Sequence, residues 1–183
     1  MITEKYLRFD GNIFVTTETS PKFGEIINFL NQQTVLGFDT ETRPSFKKGR
    51  TNKPALIQFA TKELAVLYQI RNHTIAKEIL HILENNKIIK VGSGVSQDLK
   101  QLQQLASFTP QSFIDIQGLA KKAAIENLSL KKLSKQILGM NISKRQQLSN
   151  WENYELTEAQ KVYAATDAYA CLLIYEKLLH ETS

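Results

Sequence analysis

Apolar and polar positions along this chain change period several times, and the changes divide it into strands and helices. Ile13-Phe14-Val15 is short and β-branched, which predicts a strand. Ser20-Pro21 then has the form of an N-cap and first residue of a helix running to Leu30, with Phe23, Ile26, Ile27 and Leu30 at core spacing. Thr34 to Glu41 is a second strand, and Arg43 to Lys53, basic with Gly49 inside it and prolines nearby, is a surface loop. Ala55 to Ala60 and Leu64 to Tyr68 are apolar runs separated by three polar residues, the spacing of an antiparallel hairpin. Their apolar content marks both as core strands.

A helical pattern from about Thr74 to Leu83 comes next, then a strand over Lys87 to Val91 and a turn at Gly92-Ser93-Gly94. Ser96 opens a helix carrying Leu99, Leu102 and Leu105, and Phe113 to Ile116 is a last short strand. Helical periodicity then takes over, at about Gln117 to Ile125, Ser129 to Leu138 and Thr157 to Leu179. Strands early and helices late predict an α/β architecture, a mixed central sheet flanked by helices.

The length of 183 residues suits one domain over 1–183 with a core of its own. Hydrophobic content of 42% against 22% charged residues argues against disorder. No apolar run reaches the roughly 18 residues that span a bilayer, and Met1 to Tyr6 has no basic-then-apolar pattern. A cytoplasmic protein without a membrane partner is expected. Cys171 is the only cysteine, which excludes an intrachain disulfide, and its apolar neighbours predict burial. The net charge of +5 leans towards an anionic partner but gains meaning only from where the charges lie.

The strand Val35 to Glu41 ends on two acids one residue apart, so Asp39 and Glu41 point to the face of Val35 and Gly37 while Thr40 points to the other. By itself the pair fits a strand end meeting solvent or half of an oxygen-only site for Mg²⁺ or Mn²⁺. Asp98 in a first helical turn also suits the helix dipole, and Tyr163 and Asp167, four apart, share one helix face.

Taken together, Phe38-Asp39-Thr40-Glu41, Val91 to Leu99 and Tyr163 to Asp167 resemble, in order, the three motifs of the DEDD exonuclease superfamily. Ser149-Asn150-Trp151 and Leu156 to Tyr169 extend the likeness towards its ribonuclease D and Werner-type members, and Tyr163 stands where the tyrosine branch has its tyrosine. The resemblance implies an RNase H-like fold and 3′-to-5′ hydrolysis of a DNA or RNA strand to nucleoside 5′-monophosphates, the alternative being a silent nucleic-acid-binding module. It also implies two divalent ions, Mg²⁺ or Mn²⁺, with Asp39, Glu41 and Asp167 on the first and Asp39 and Asp98 on the second. Tyr163, whose free phenol has a pKa of about 10, is expected to orient water.

With those four acids set aside, 14 remain against 23 bases, so the rest of the molecule is strongly positive. Lys47, Lys48, Arg50 and Lys53 in the loop after the first motif, with Lys144 and Arg145, are the candidate phosphate contacts. Lys121, Lys122, Lys131, Lys132 and Lys135 read as exposed helix faces. Trp151 is expected to anchor packing, and the place of Phe46 is left open. The tract Ser143 to Asn150 departs from the family's pattern of basic and amide residues.

Overall fold

A computed structural model describes residues 4–47, 49 and 51–181. In chain order its elements are β1 (Asn12–Thr16), α1 (Phe23–Asn31), β2 (Val35–Thr42), β3 (Pro54–Ala60), β4 (Leu64–Gln69), α2 (Lys77–Glu84), β5 (Ile89–Gly92), α3 (Val95–Leu102), β6 (Phe113–Asp115), α4 (Ile116–Lys122), α5 (Leu130–Leu133) and α6 (Glu158–Glu181). The six strands form one sheet in the order β1-β4-β3-β2-β5-β6. β2, β3 and β4 pair antiparallel, while β1 joins β4, β5 joins β2 and β6 joins β5, each in parallel. The expected mixed sheet is present.

Differences from the sequence pattern lie at element ends, where side chains close turns instead of opening helices. The Ser20 hydroxyl accepts from the Thr17 amide at 2.9 Å, and α1 starts three residues later at Phe23. Thr74 likewise closes a turn on Arg71, with Asn72 and His73 at positive φ, so α2 waits until Lys77. The helix expected over 129–138 is α5 followed by a π-helical turn, Ser134–Leu138, ended by Gly139 at φ 69°. The wider turn follows the Ser134 hydroxyl, which donates to the Met140 carbonyl at 2.8 Å.

Alternation along β2 divides the core between the two faces of the sheet. Leu36 and Phe38 join Phe59, Tyr68, Ile79 and Leu83 on the side covered by α1 and α2. On the other side Val91, Ile116, Leu133, Cys171 and Ile174 pack together, so Cys171 is buried as expected. The 24-residue α6 lies across this second face, against β2 and β3 in particular. Ala164, Ala165 and Ala168 on α6 are fully buried, and a Cβ on Gly37 would collide with the Ala168 carbonyl. Small residues on both partners let the helix backbone rest directly on β2, one residue from Asp167. Among the described residues no helix is both long and apolar enough to cross a membrane.

Candidate active site

The close approach at Gly37 brings Asp167 down onto the face of β2 that carries Asp39 and Glu41. One carboxylate oxygen from each of the three lies within 4.8 Å of the other two. Asp98 arrives separately, from α3 on the far side of the strand. Thr40, which faces that side, donates from its hydroxyl to Asp98 Oδ1 at 2.6 Å.

The start of α3 is held by a residue that the sequence pattern did not single out. Asp115, at the end of β6, accepts from the amides of Gly94 and Val95 at 3.2 Å each and caps α4 through Gln117 N at 2.9 Å. One carboxylate thereby fixes two helix N-termini, and α3 carries Asp98 on its first turn. An acid just before helical periodicity is a recognisable N-cap, but its second set of contacts is visible only in three dimensions.

Burial raises all four acids, and at Asp39 and Glu41 the charges of the neighbouring acids add to it. Asp39 is raised well above the ordinary carboxylate range by burial, then by the charges of Asp167 and Asp98. Glu41 is pushed up to about 10 by burial and by the same neighbours with Asp39. Burial lifts Asp167 to about 7 against the opposing effects of the Tyr163 hydroxyl and the Lys144 ammonium, and lifts Asp98 to about 6 against the Thr40 hydrogen bond. Such a cluster holds protons unless a cation replaces them.

The donors suit a small, hard divalent ion. All are carboxylate oxygens, and Asp167 Oδ1 is buried with no hydrogen-bond partner, an acceptor that a cation would satisfy. Tyr163 lies one turn before Asp167 and packs on Trp151 with ring centroids 5.8 Å apart. Its phenol is raised above its ordinary value by burial first and then by Asp167 and Glu41. It therefore stays protonated, able to donate and accept but not to remove a proton.

A cavity of about 720 Å³ opens beside Tyr163 and Asp167, and its lining includes Arg8, Lys131, Lys144 and Arg145. Lys144 and Arg145 are where the sequence reading expected phosphate contacts. Lys131, expected on an exposed helix face, is exposed on α5 and also lines this cavity. Arg8 was not anticipated. It is brought in by the N-terminal segment, where Leu7 N donates to Asn141 O at 2.8 Å and Phe9 N to the Thr166 hydroxyl at 3.0 Å. Such distant pairing leaves no periodic trace in the sequence.

Lys47 and Lys53 are exposed on the loop after β2 and are not among the residues that line the cavity, while Lys48 and Arg50 fall outside the described residues. Phe46 is 85% exposed on the same loop, whereas Trp151 is 1% exposed and is the packing anchor it was expected to be. Gln58, within the apolar run of β3, is a further residue missed from the sequence. It is buried opposite Asp39 with neither amide atom hydrogen-bonded.

A mixed sheet with four acids converging on the end of its central strand defines a nuclease domain of the RNase H-like fold. Residues 14–183 match the family described as 3′-5′ exonuclease, and the chain belongs to it. The mouse bifunctional 3′-5′ exonuclease/ATP-dependent helicase WRN is 37% identical over 182 residues, covering 94% of this chain and 13% of that protein. An Arabidopsis thaliana 3′-5′ exonuclease is 30% identical over 190 residues, covering 94% of this chain and 65% of its own length. The chain thus spans less than two thirds of either relative. Escherichia coli RNase D, an exoribonuclease involved in structured RNA processing, superposes with a TM-score of 0.78 at 25% identity, covering 92% of this chain and 45% of that one. The Aedes aegypti Nibbler EXO domain, at 22% identity, shares the fold with a TM-score of 0.80 over 93% of this chain and 88% of its own.

Proposed function

We propose that this chain is a single metal-dependent exonuclease domain of the tyrosine branch. It would remove nucleoside 5′-monophosphates from the 3′ end of a DNA or RNA strand by a two-metal-ion mechanism. The observation that carries the reading is the carboxylate trio Asp39, Glu41 and Asp167, with oxygens within 4.8 Å of one another, Asp167 buried and Asp39 and Glu41 half-buried where α6 packs on β2, with Tyr163 one turn away.

Asp39, Glu41 and Asp167 would hold one Mg²⁺ or Mn²⁺, and Asp39 and Asp98 a second. Bound there, such ions supply a water of lowered pKa and neutralise charge on the attacking and departing oxygens. The chain's own groups do the rest. Tyr163, kept protonated by its surroundings, orients the water towards the phosphorus, a positioning effect that alone is worth several powers of ten in rate. Glu41 accepts a hydrogen bond from the terminal 3′ hydroxyl, which selects a strand end over an internal bond. Arg8, Lys131, Lys144 and Arg145 hold backbone phosphates beside the acids, with Lys47 and Lys53 reaching the strand from the loop after β2.

Matched DNA and RNA oligonucleotides, each labelled at one end or the other and incubated with Mg²⁺ or Mn²⁺, test this directly. Stepwise shortening from the 3′ end, lost in Asp39→Ala and Asp167→Ala, is the expected result. Binding without turnover would instead make the chain a silent nucleic-acid-binding module, and cleavage of a circular strand would make it an endonuclease.

A further inference from the structure

Tyr154 presents its ring to solvent, 83% exposed, yet the ring is held from behind. The Arg71 guanidinium lies over one face, 4.9 Å from the ring centroid. That guanidinium is itself fixed, because Nη2 donates to Gln69 Oε1 at 2.7 Å and to the Tyr154 carbonyl at 2.8 Å. Gln69 Nε2 donates in turn to the Asn153 carbonyl at 3.1 Å, so the end of β4 clamps the loop that carries the ring. The clamp uses main-chain carbonyls, which any residue supplies. The aromatic ring is surplus to it, and its second face is open.

The loop is tied to the carboxylate site at two points. Trp151, at its start, is buried against Tyr163. Glu152 Oε2 meets Arg43 Nη1 at 3.0 Å, and Arg43 follows Glu41 by two residues. Sheet register sets the separation. Glu41 pairs with Leu56 and Leu56 with Gln69, so the three form one row across β2, β3 and β4, on the face that carries the acids. Two strand spacings put the Gln69 backbone on the order of 10 Å from that of Glu41. A strand with its end at the acids needs only a few nucleotides to reach the ring.

Charge at this edge favours a polyanion. Arg43 follows β2, Lys53 precedes β3 and Arg71 follows β4, and the alternating strand directions bring all three to the same end of the sheet. Glu152 and Glu155 are the acids of the loop, so three bases face two acids there. Unpaired bases stack on aromatic faces whatever their identity, and a neighbouring guanidinium adds to the attraction.

We propose that Tyr154, backed by Arg71, is a stacking platform for an unpaired base of the nucleic-acid strand whose 3′ end lies at the carboxylates. The inference rests on the exonuclease reading of those acids, and it adds a requirement for single-stranded character a few nucleotides before the end. Bases inside a duplex are already stacked on their neighbours and have no free face to offer.

The test uses a 5′-labelled oligothymidylate of about ten nucleotides, within the usual site size of single-strand grooves, and a series in which one nucleotide at a time is replaced by an abasic residue. Anisotropy in Ca²⁺ gives Kd for the wild type, Tyr154→Leu and Tyr154→Phe, with thermal midpoints and sedimentation alongside. In the wild type one abasic position near the 3′ end should weaken binding about 5–150-fold, the range for one base stacked on an aromatic side chain. Tyr154→Leu should lose the same factor on the intact strand and nothing further at that position. Tyr154→Phe should bind as the wild type does. Thermal midpoints should agree among the three proteins, because the ring is exposed and the clamp needs only carbonyls.

A scan in Tyr154→Leu that reproduces the wild-type scan overturns the proposal, as does equal affinity of the two proteins for the intact strand. A change in sedimentation with an unchanged scan also overturns it, assigning the ring to contact with a second copy of the chain. Shortening of the same strand in Mg²⁺ keeps the two readings apart. Shortening with a scan independent of Tyr154 sinks the platform alone, and a Tyr154-dependent abasic position without shortening sinks the exonuclease reading alone.

Discussion

The Thr40 hydroxyl and Asp98 Oδ1 are 2.6 Å apart, so the residue between the two acids of β2 fixes a third acid that approaches from the opposite face of the sheet. Two adjacent positions of one strand therefore serve both sides of the site. Replacing the hydroxyl by a methyl in Thr40→Val keeps the β-branched shape and removes the donor. Turnover should drop by about 10–100-fold, with recovery in Thr40→Ser. The same hydrogen bond holds the Asp98 pKa down to about 6, so in metal-free Thr40→Val an NMR titration of the Asp98 carboxyl should give a midpoint above the wild-type value.

Asp167 makes the metal-free protein sensitive to pH in a definite direction. Its folded pKa of about 7 lies above the ordinary 3.8, so the folded state binds the proton more tightly. The resulting stability is fully present below about pH 3.8 and is lost as pH rises through about 7. Thermal melts in chelator should accordingly show a wild-type midpoint that falls across this window, and a smaller fall in Asp167→Asn. At pH 8 the variant should melt higher than the wild type without metal. Addition of Mg²⁺ should reverse the order by stabilising only the protein that binds it.

Gly37 permits α6 to touch β2, and its replacement should disturb fold and site together. Gly37→Ala places a methyl against the Ala168 carbonyl and should cost about 1–3 kcal/mol, as overpacking of a tight core does. Urea titration gives that loss, and activity should fall further than stability because the Asp167 carboxylate moves with the helix. Gly24→Ala on α1 is the control. A Cβ there meets nothing within 4 Å, so the variant should be neutral or more stable by about 0.5–1 kcal/mol.

The cations around the cavity should separate from those elsewhere by their salt dependence. Arg8→Ala, Lys131→Ala and Lys144→Ala should each weaken oligonucleotide binding and lower the slope of log affinity against log salt by about 1 or slightly less. Lys121→Ala, in the last turn of α4, should leave that slope unchanged. Fluorescence anisotropy in Ca²⁺, which permits binding to be followed apart from turnover, provides the measurement.

Periodicity along the chain alone determined the strand that ends in Asp39 and Glu41, the common face of those two acids, the one-turn spacing of Tyr163 and Asp167, and the order of strands and helices. These properties belong to short stretches, where backbone geometry dictates side-chain direction. Tertiary structure decided what depends on contacts between distant segments. It set Thr40 against Asp98, bound the Asp115 carboxylate to two helix starts, and brought Arg8 and Lys131 to one cavity. It also turned Gln58, one polar letter in an apolar strand, into a buried amide opposite Asp39. Side-chain identity says what a group can bond to, but only the packing of α6 on β2 and β3 says which groups lose water together and must therefore find one another.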